Sequence, residues 1–376
     1  MRIIFTGGGS GGHFYPLIAV ARSLRDMADS QKILNLDMIY ASDEPYDAKV
    51  LQEESIRFLK VPAGKIRRYF SVKNLFDPFK IFFGVIKAIW ILYLNYPDVI
   101  FAKGGYASFP TLYAAKLLKV PVIIHETDSI PGKVTLWASK FAKKVAISFP
   151  EAAKFFPKEK TALIGNPVRR EVTMGNIDEA IQLFSLETNF PVVLVLGGSQ
   201  GAQKLNQLTI DVLAELLSFS QVIHQAGPKN IEAARMRANL VLEKNPHKSR
   251  HHMEAFLDEE KMRSAYKAAN IVIARAGGGS IFEIAAWGVP AILVPLPTSA
   301  QDHQRENAYA YARAGACEVL EEENLTQHIL LDRIKKLLSD EQRRIDMSVA
   351  AKKFAKPEAA QHIAEEIVRI TTQHSS

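Results

Sequence analysis

The feature that most constrains this chain is a recurring three-part unit: a short apolar run, a glycine-rich turn and an amphipathic stretch. Arg2-Ile3-Ile4-Phe5-Thr6 reads as a strand and runs into Gly7-Gly8-Gly9-Ser10-Gly11-Gly12. His13–Asp26 follows with Leu17, Val20, Ala21 and Leu24 on one helical face, and Pro16 is expected in a first turn, where no N–H is needed. The unit recurs with a strand at Asp98–Ala102 before Gly104-Gly105, a helix at Thr111–Leu118 and a strand at Pro121–His125. It restarts at Pro191–Leu196, which precedes Gly197-Gly198-Ser199-Gln200-Gly201 and a helix at Ala202–Leu217. Strands are then expected at Val222–His224, Ile271–Ala274 and Ala291–Val294, and Gly277-Gly278-Gly279 opens a helix at Ser280–Trp287.

Alternation of this kind predicts an α/β protein whose parallel sheets are covered by helices on both faces. The restart, in a chain of 376 residues, predicts two domains that divide after Gly165-Asn166-Pro167. The final helix, Pro357–Thr372, suits either domain. Composition excludes other classes: 48% hydrophobic and 23% charged residues suit neither a disordered nor a collagen-like chain. Cys317, the single cysteine, excludes a disulfide framework and reads as buried packing. Met1–Thr6 is too short for a signal peptide, and Ile81–Leu94 falls below the ~20 residues of a membrane span and contains Lys87. A soluble or peripheral cytoplasmic protein is expected.

Three glycine turns that each precede a helix favour a nucleotide or diphosphate ligand, because helix starts carry unpaired N–H groups and partial positive charge. Gly7, Gly9 and Gly12 also fit a dinucleotide fingerprint, with Asp43 and Glu44 somewhat late as its acidic partner. His13 argues against that reading, since it would crowd a pyrophosphate; at a helix start it suits a catalytic base. Glu283, three residues into the helix after the third turn, suits a ribose diol. No D-x-D pair occurs, so no acidic metal site is expected, and His247, His251 and His252 read as a solvated basic face. Lys65–Lys87 holds six basic residues against Asp77, most of the chain's net charge of +7. Lys65, Arg67, Arg68 and Lys73, interleaved with Phe70, Phe76 and Phe79, suit an anionic membrane surface. No RNA-binding motif accompanies the aromatics, and from Phe82 onward the stretch reads as a packed core helix.

Together, Gly7–His13 with Pro16, Gly104-Gly105-Tyr106, His125-Glu126, Gly165-Asn166-Pro167-Val168-Arg169, Gly197–Gly201 and Asp302-His303-Gln304 with Asn307 resemble the MurG family, in family order from residue 6 to about 316. The resemblance implies a GT-B fold, two Rossmann-like domains facing across a cleft. It implies residues 1–166 as acceptor- and membrane-binding domain, with helix 357–376 packing back on it, and 167–356 as UDP-sugar domain. It implies an inverting N-acetylglucosaminyltransferase that uses UDP-N-acetylglucosamine and lipid I, makes lipid II for peptidoglycan, and needs no cofactor or metal. The implied setting is the cytoplasmic face of the inner membrane. The implied partners there are anionic inner-leaflet phospholipids and other cell-wall synthesis proteins, without nucleic acid.

By position, the resemblance gives the donor diphosphate Arg169, Ser199 and the N–H groups of Gly278, Gly279 and Ser280. It gives the ribose diol Glu283, uracil the backbone of Leu257, and the sugar hydroxyls Gln304 and Asn307. Ser10, Gly11 and Gly12 line the acceptor side. Asp128 replaces a frequent asparagine beside the sugar. His13 is the expected base, with Asp128 or Glu126 as alternatives. The rival readings are another GT-B enzyme with a lipid acceptor such as diacylglycerol, an NAD-dependent oxidoreductase, and a non-catalytic membrane-associated binding protein.

Overall fold

The computed structural model describes residues 1–30, 35–64, 73–169, 175–197 and 202–374. The chain forms two compact units, Met1–Arg169 with Lys356–Ser376, and Arg170–Ala355.

The strands of the first unit are β1 (Arg2–Thr6), β2 (Asp37–Ser42), β3 (Arg57–Lys60), β4 (Val99–Ala102), β5 (Val122–Glu126), β6 (Lys144–Ile147) and β7 (Thr161–Leu163). They pair in the order β3-β2-β1-β4-β5-β6-β7, all parallel. The helices are α1 (Gly11–Ser30), α2 (Ala48–Glu53), α3 (Lys73–Asn95), α4 (Phe109–Leu118) and α5 (Lys133–Ser139). Alternate strand residues feed two cores. Ile3, Phe5, Val99 and Phe101 pack under α1 and the chain's last helix (Ala359–His374), while Ile4, Ile100, Ala102 and Ile124 pack under α3 and α4. Each side chain fully buried this way contributes about 1.5–3 kcal/mol, so both sheet faces must be covered.

The second unit has β8 (Val192–Leu196), β9 (Gln221–Gln225), β10 (His251–Glu254), β11 (Ile271–Ala274), β12 (Ala291–Leu293) and β13 (Cys317–Val319). Their order is β10-β9-β8-β11-β12-β13, again all parallel. Its helices are α6 (Ile177–Phe184), α7 (Gln203–Leu216), α8 (Ile231–Val241), α9 (Glu259–Ala268), α10 (Gly278–Trp287), α11 (His303–Arg313), α12 (Gln327–Ser339) and α13 (Glu341–Phe354); the last helix of the chain is α14.

The α/β reading with two parallel sheets is what the structure shows. Three details differ. Helix α1 begins at Gly11, so Pro16 lies in its second turn and leaves the Gly12 carbonyl without its i→i−4 donor. His251 and His252 sit in strand β10 rather than on a solvated helix face; burial holds both imidazoles below their usual range, His251 at about 4. The stretch from Phe82 is not core. Helix α3 buries Asp77, Gly84, Ala88, Ile91 and Leu92 and leaves Phe79, Phe82, Phe83 and Trp90 about 60% exposed. Small residues face inward because α3 lies close on its neighbours: a Cβ at Gly84 would stand 1.9 Å from the Pro62 carbonyl oxygen. Cys317 is buried, and burial pushes its thiol up.

Candidate active site

In parallel α/β sheets ligands gather at the C-terminal strand ends, and both units place their glycine turns there. In the first unit Gly7 follows β1, and its carbonyl accepts from Tyr40 Oη at 2.7 Å and Ser42 Oγ at 2.9 Å. A Cβ at Gly8 would come within 2.7 Å of Ser42 Oγ and 2.9 Å of Ala107 Cβ, so the backbone can run here only as glycine.

Ser10 and His13 start α1. The Ser10 carbonyl accepts from the His13 N–H at 3.1 Å, and Ser10 Oγ lies 2.8 Å from His13 Nδ1. That bond fixes the imidazole. With the ring proton on Nδ1 and donated to Ser10, Nε2 keeps its lone pair. Nε2 lies 3.6 Å from the empty Cβ position of Gly105, a residue at φ 79°. Gly11 is buried and Gly12 exposed at the same helix start.

Beside this turn, β4 and β5 end in a buried polar cluster. Lys103 follows β4; its ammonium donates to Thr127 Oγ1 at 2.6 Å and Asn166 Oδ1 at 2.9 Å and lies 2.5 Å from His125 Nδ1. His125 Nε2 lies 2.8 Å from the Gly165 carbonyl, so it carries the proton and donates it. Glu126 is buried with both oxygens occupied: Oε1 accepts from the Thr127 and Asp128 N–H groups, Oε2 from that of Gly132. Burial, then the charge of Asp128, pushes the Glu126 carboxyl up to about 7. Asp128 is half-buried. Of the two alternative bases, Glu126 therefore organises its own loop, and Asp128 is the more accessible. Arg169 lies buried in the same unit, its guanidinium 4.1 Å from the centre of the Tyr15 ring on α1.

The second unit presents a different edge. Helix α10 starts at Gly278 with no side-chain cap, and its first i→i−4 bond joins the Ile281 N–H to the Gly277 carbonyl at 3.0 Å. Gly278, Gly279 and Ser280 thus form the turn whose N–H groups carry the helix's positive end. Among the described residues, its chain neighbours aside, no atom stands within 4 Å of a Cβ at Gly277. Glu283 is half-buried one turn along, and its charge faces the buried phenol of Tyr266.

Other expected contacts differ in detail. Leu257 is buried, and its N–H donates to Gln225 Oε1 at 3.0 Å. Asn307 is fully buried, its amide donating to the Ala276 carbonyl at 3.2 Å, so here it holds the glycine turn rather than exposing a sugar contact. Gln304 Oε1 accepts from the Leu296 N–H at 3.0 Å, which fixes its amide from one side. Ser199 lies outside the described residues, as do Lys65, Arg67, Arg68 and Phe70; the side chain of Lys73 is likewise undescribed. Phe76 and Phe79 are exposed on α3, continuous with Phe82, Phe83, Trp90, Tyr93 and Leu94. Among the described residues, no three or more His, Cys, Asp or Glu side chains gather as for a metal ion.

Sequence reasoning passed over Lys103, Tyr15 and Gln225. A lysine ending an apolar strand just before Gly104-Gly105 was the available signal for the first.

Comparison with known proteins agrees with both units. The glycosyltransferase family 28 N-terminal domain matches residues 3–147 and the family 28 C-terminal domain residues 192–363. A Borrelia hermsii protein named UDP-N-acetylglucosamine–N-acetylmuramyl-(pentapeptide) pyrophosphoryl-undecaprenol N-acetylglucosamine transferase is 35% identical over 368 residues, 98% of this chain and 96% of its own length. A Treponema denticola protein of the same name is 34% identical, covering 96% of each chain. The crystal structure of Acinetobacter baumannii MurG matches with a TM-score of 0.72 at 26% identity, over 98% of this chain and 99% of that one. UDP-GlcNAc 2-epimerase from Neisseria meningitidis, 13% identical with a TM-score of 0.69, shares the fold over 98% of this chain and all of its own. With glycine turns at both sheet edges and near-complete coverage by relatives of one name, the chain belongs to the MurG family of glycosyltransferases.

Proposed function

We propose that this protein transfers N-acetylglucosamine from UDP-N-acetylglucosamine to the 4-hydroxyl of the muramoyl sugar of lipid I, giving lipid II and UDP with inversion. The observation that carries the reading is the likeness, about 35% identical over 98% of the chain, to relatives named for this transfer.

The hydroxyl attacks the anomeric carbon from the face opposite UDP, so one C–O bond forms as the other breaks and the new linkage is β. His13 Nε2 takes the hydroxyl proton, while the Nδ1–H bond to Ser10 holds the ring and supports the imidazolium. The bonding pair leaves with UDP. The first turn of α10, Gly278 to Ser280, receives the growing diphosphate charge with fixed dipoles, the kind of preorganisation that is often the largest catalytic contribution. Arg169 and Ser199 are proposed as further diphosphate donors, Glu283 as the ribose ligand, and Gln304 as a sugar contact. Asp128 is the proposed acceptor-side carboxylate.

The exposed aromatic face of α3 supports docking on the anionic inner leaflet from the cytoplasmic side. Among the described residues, no helix is long and apolar enough to cross a membrane. Other cell-wall synthesis proteins are proposed as further partners at that surface.

Labelled UDP-N-acetylglucosamine, offered with either a short-chain lipid I analogue or diacylglycerol in the presence of EDTA, tests the reading. The expected product is the lipid I disaccharide, with a β anomeric coupling in its NMR spectrum. Label in diacylglycerol alone, or UDP binding without transfer, would overturn it in favour of another lipid acceptor or a binding protein.

A further inference from the structure

Lys103 is a buried lysine that the reaction above leaves unused. Its side chain is 2% exposed. The ammonium has three hydrogens and meets three acceptors: His125 Nδ1, Thr127 Oγ1 and Asn166 Oδ1, at 2.5, 2.6 and 2.9 Å. His125 acts as acceptor because its Nε2–H is committed to the Gly165 carbonyl. A neutral amine would set its lone pair against one of these acceptors, so the geometry suits the charged form.

All three acceptors are neutral. Burial pulls the Lys103 amine down to about 7, and the charges of Glu126 and then Asp128 oppose that fall. On the β1 side Lys103 packs against Gly7, which brings no titratable group. The acceptors also tie separate chain segments together. His125 ends β5, Thr127 opens the loop toward α5, and Asn166 follows β7. The same loop is closed by Glu126 through the N–H groups of Thr127, Asp128 and Gly132. One cation therefore anchors the segment that presents Asp128.

We propose that Lys103 is a positioning residue for the acceptor side: its buried ammonium ties His125, Thr127 and Asn166 together and so pins the 126–132 loop that presents Asp128 to the lipid I sugar. The inference rests on the acceptor reading above for the identity of the sugar, but not for the loop it holds.

Two readouts on the full chain test it. The first is amide hydrogen exchange over residues 125–132 in wild type, Lys103→Met and Thr127→Val. Lys103→Met, which loses all three bonds, should speed exchange there about tenfold or more. Thr127→Val, which removes one acceptor with little change of shape, should speed it less. The second readout is steady-state transfer. In Lys103→Met, kcat/KM for the lipid I analogue should fall about tenfold, with donor KM unchanged.

Unchanged exchange over 125–132, or faster exchange with unmoved acceptor kinetics, would overturn the proposal. If Lys103→Met fails to fold, Thr127→Val decides by the same two criteria. If wild type transfers only to another lipid, the acceptor reading fails alone; the exchange and the kinetics with that lipid still decide the role of Lys103.

Discussion

The C-terminal edges of the two sheets share a topology and differ in chemistry. The first is dense in titratable groups: His13, Lys103, His125, Glu126 and Asp128 all lie at or just beyond the C-terminal ends of β1, β4 and β5. The second offers an uncapped helix start and neutral amides: Gly278 to Ser280 on α10, with Gln225, Gln304 and Asn307 bonded to nearby backbone. A proton transfer needs groups whose charge can change. A departing diphosphate needs fixed dipoles that do not reorganise. On the proposed reading, the difference between the edges is a division of labour: the first unit handles the acceptor and its proton, the second the leaving group.

The largest expected effect falls on the first edge. His13→Ala should lower kcat by about 10²–10⁴-fold, the usual contribution of a positioned base, while UDP affinity by calorimetry stays near wild type. Full activity would pass the role to Asp128. The matching change on the second edge is Glu283→Ala, which should weaken UDP binding about tenfold or more, as for a lost hydrogen bond to a charged group. Unchanged affinity would remove Glu283 from the ribose site.

A smaller effect concerns the outer surface of the first unit. Replacing Phe79 and Trp90 together by serine should cut sedimentation with anionic vesicles several-fold, since both rings stand about 60% exposed on α3. Binding equal to wild type would place the docking surface elsewhere.

The smallest effect is a stability slope in the second unit. Burial, then the neighbouring His251, brings His224 down to about 3; burial, then His252, brings His251 down to about 4. Both folded values lie below the unfolded value near 6.5, so the unfolded chain binds more protons between them. Stability from these groups is full above pH 6.5 and declines as pH falls, by at most about 1.4 kcal/mol per pH unit for each group. Thermal unfolding of His251→Gln should show a shallower loss between pH 6.5 and 4; an unaltered slope would contradict this account.

Much of this was legible in the sequence, for physical reasons that also mark where legibility ended. Strands such as Pro191–Leu196 and Ile271–Ala274 are continuous apolar runs bounded by glycine, a pattern that only a strand buried on both faces requires. Helix α3 was misread because large apolar residues lie on several of its faces, so periodicity alone does not orient it. Residue size would have done so, since Gly84 and Ala88 face the neighbours while the phenylalanines face out. His251 and His252 were misplaced because burial in β10 beside partners such as His224 is not carried by the basic residues next to them in sequence. Lys103 was overlooked because a lysine is ordinarily a surface residue; its burial depends on partners up to 63 positions away, which no local pattern carries.

The division of labour is tested most directly by hydrogen exchange of the wild-type chain with and without UDP. The account predicts slowed exchange at residues 277–283, where α10 starts, with the 7–13 and 125–132 segments unchanged. Protection centred on 7–13 or 125–132, with the start of α10 unaffected, would contradict it.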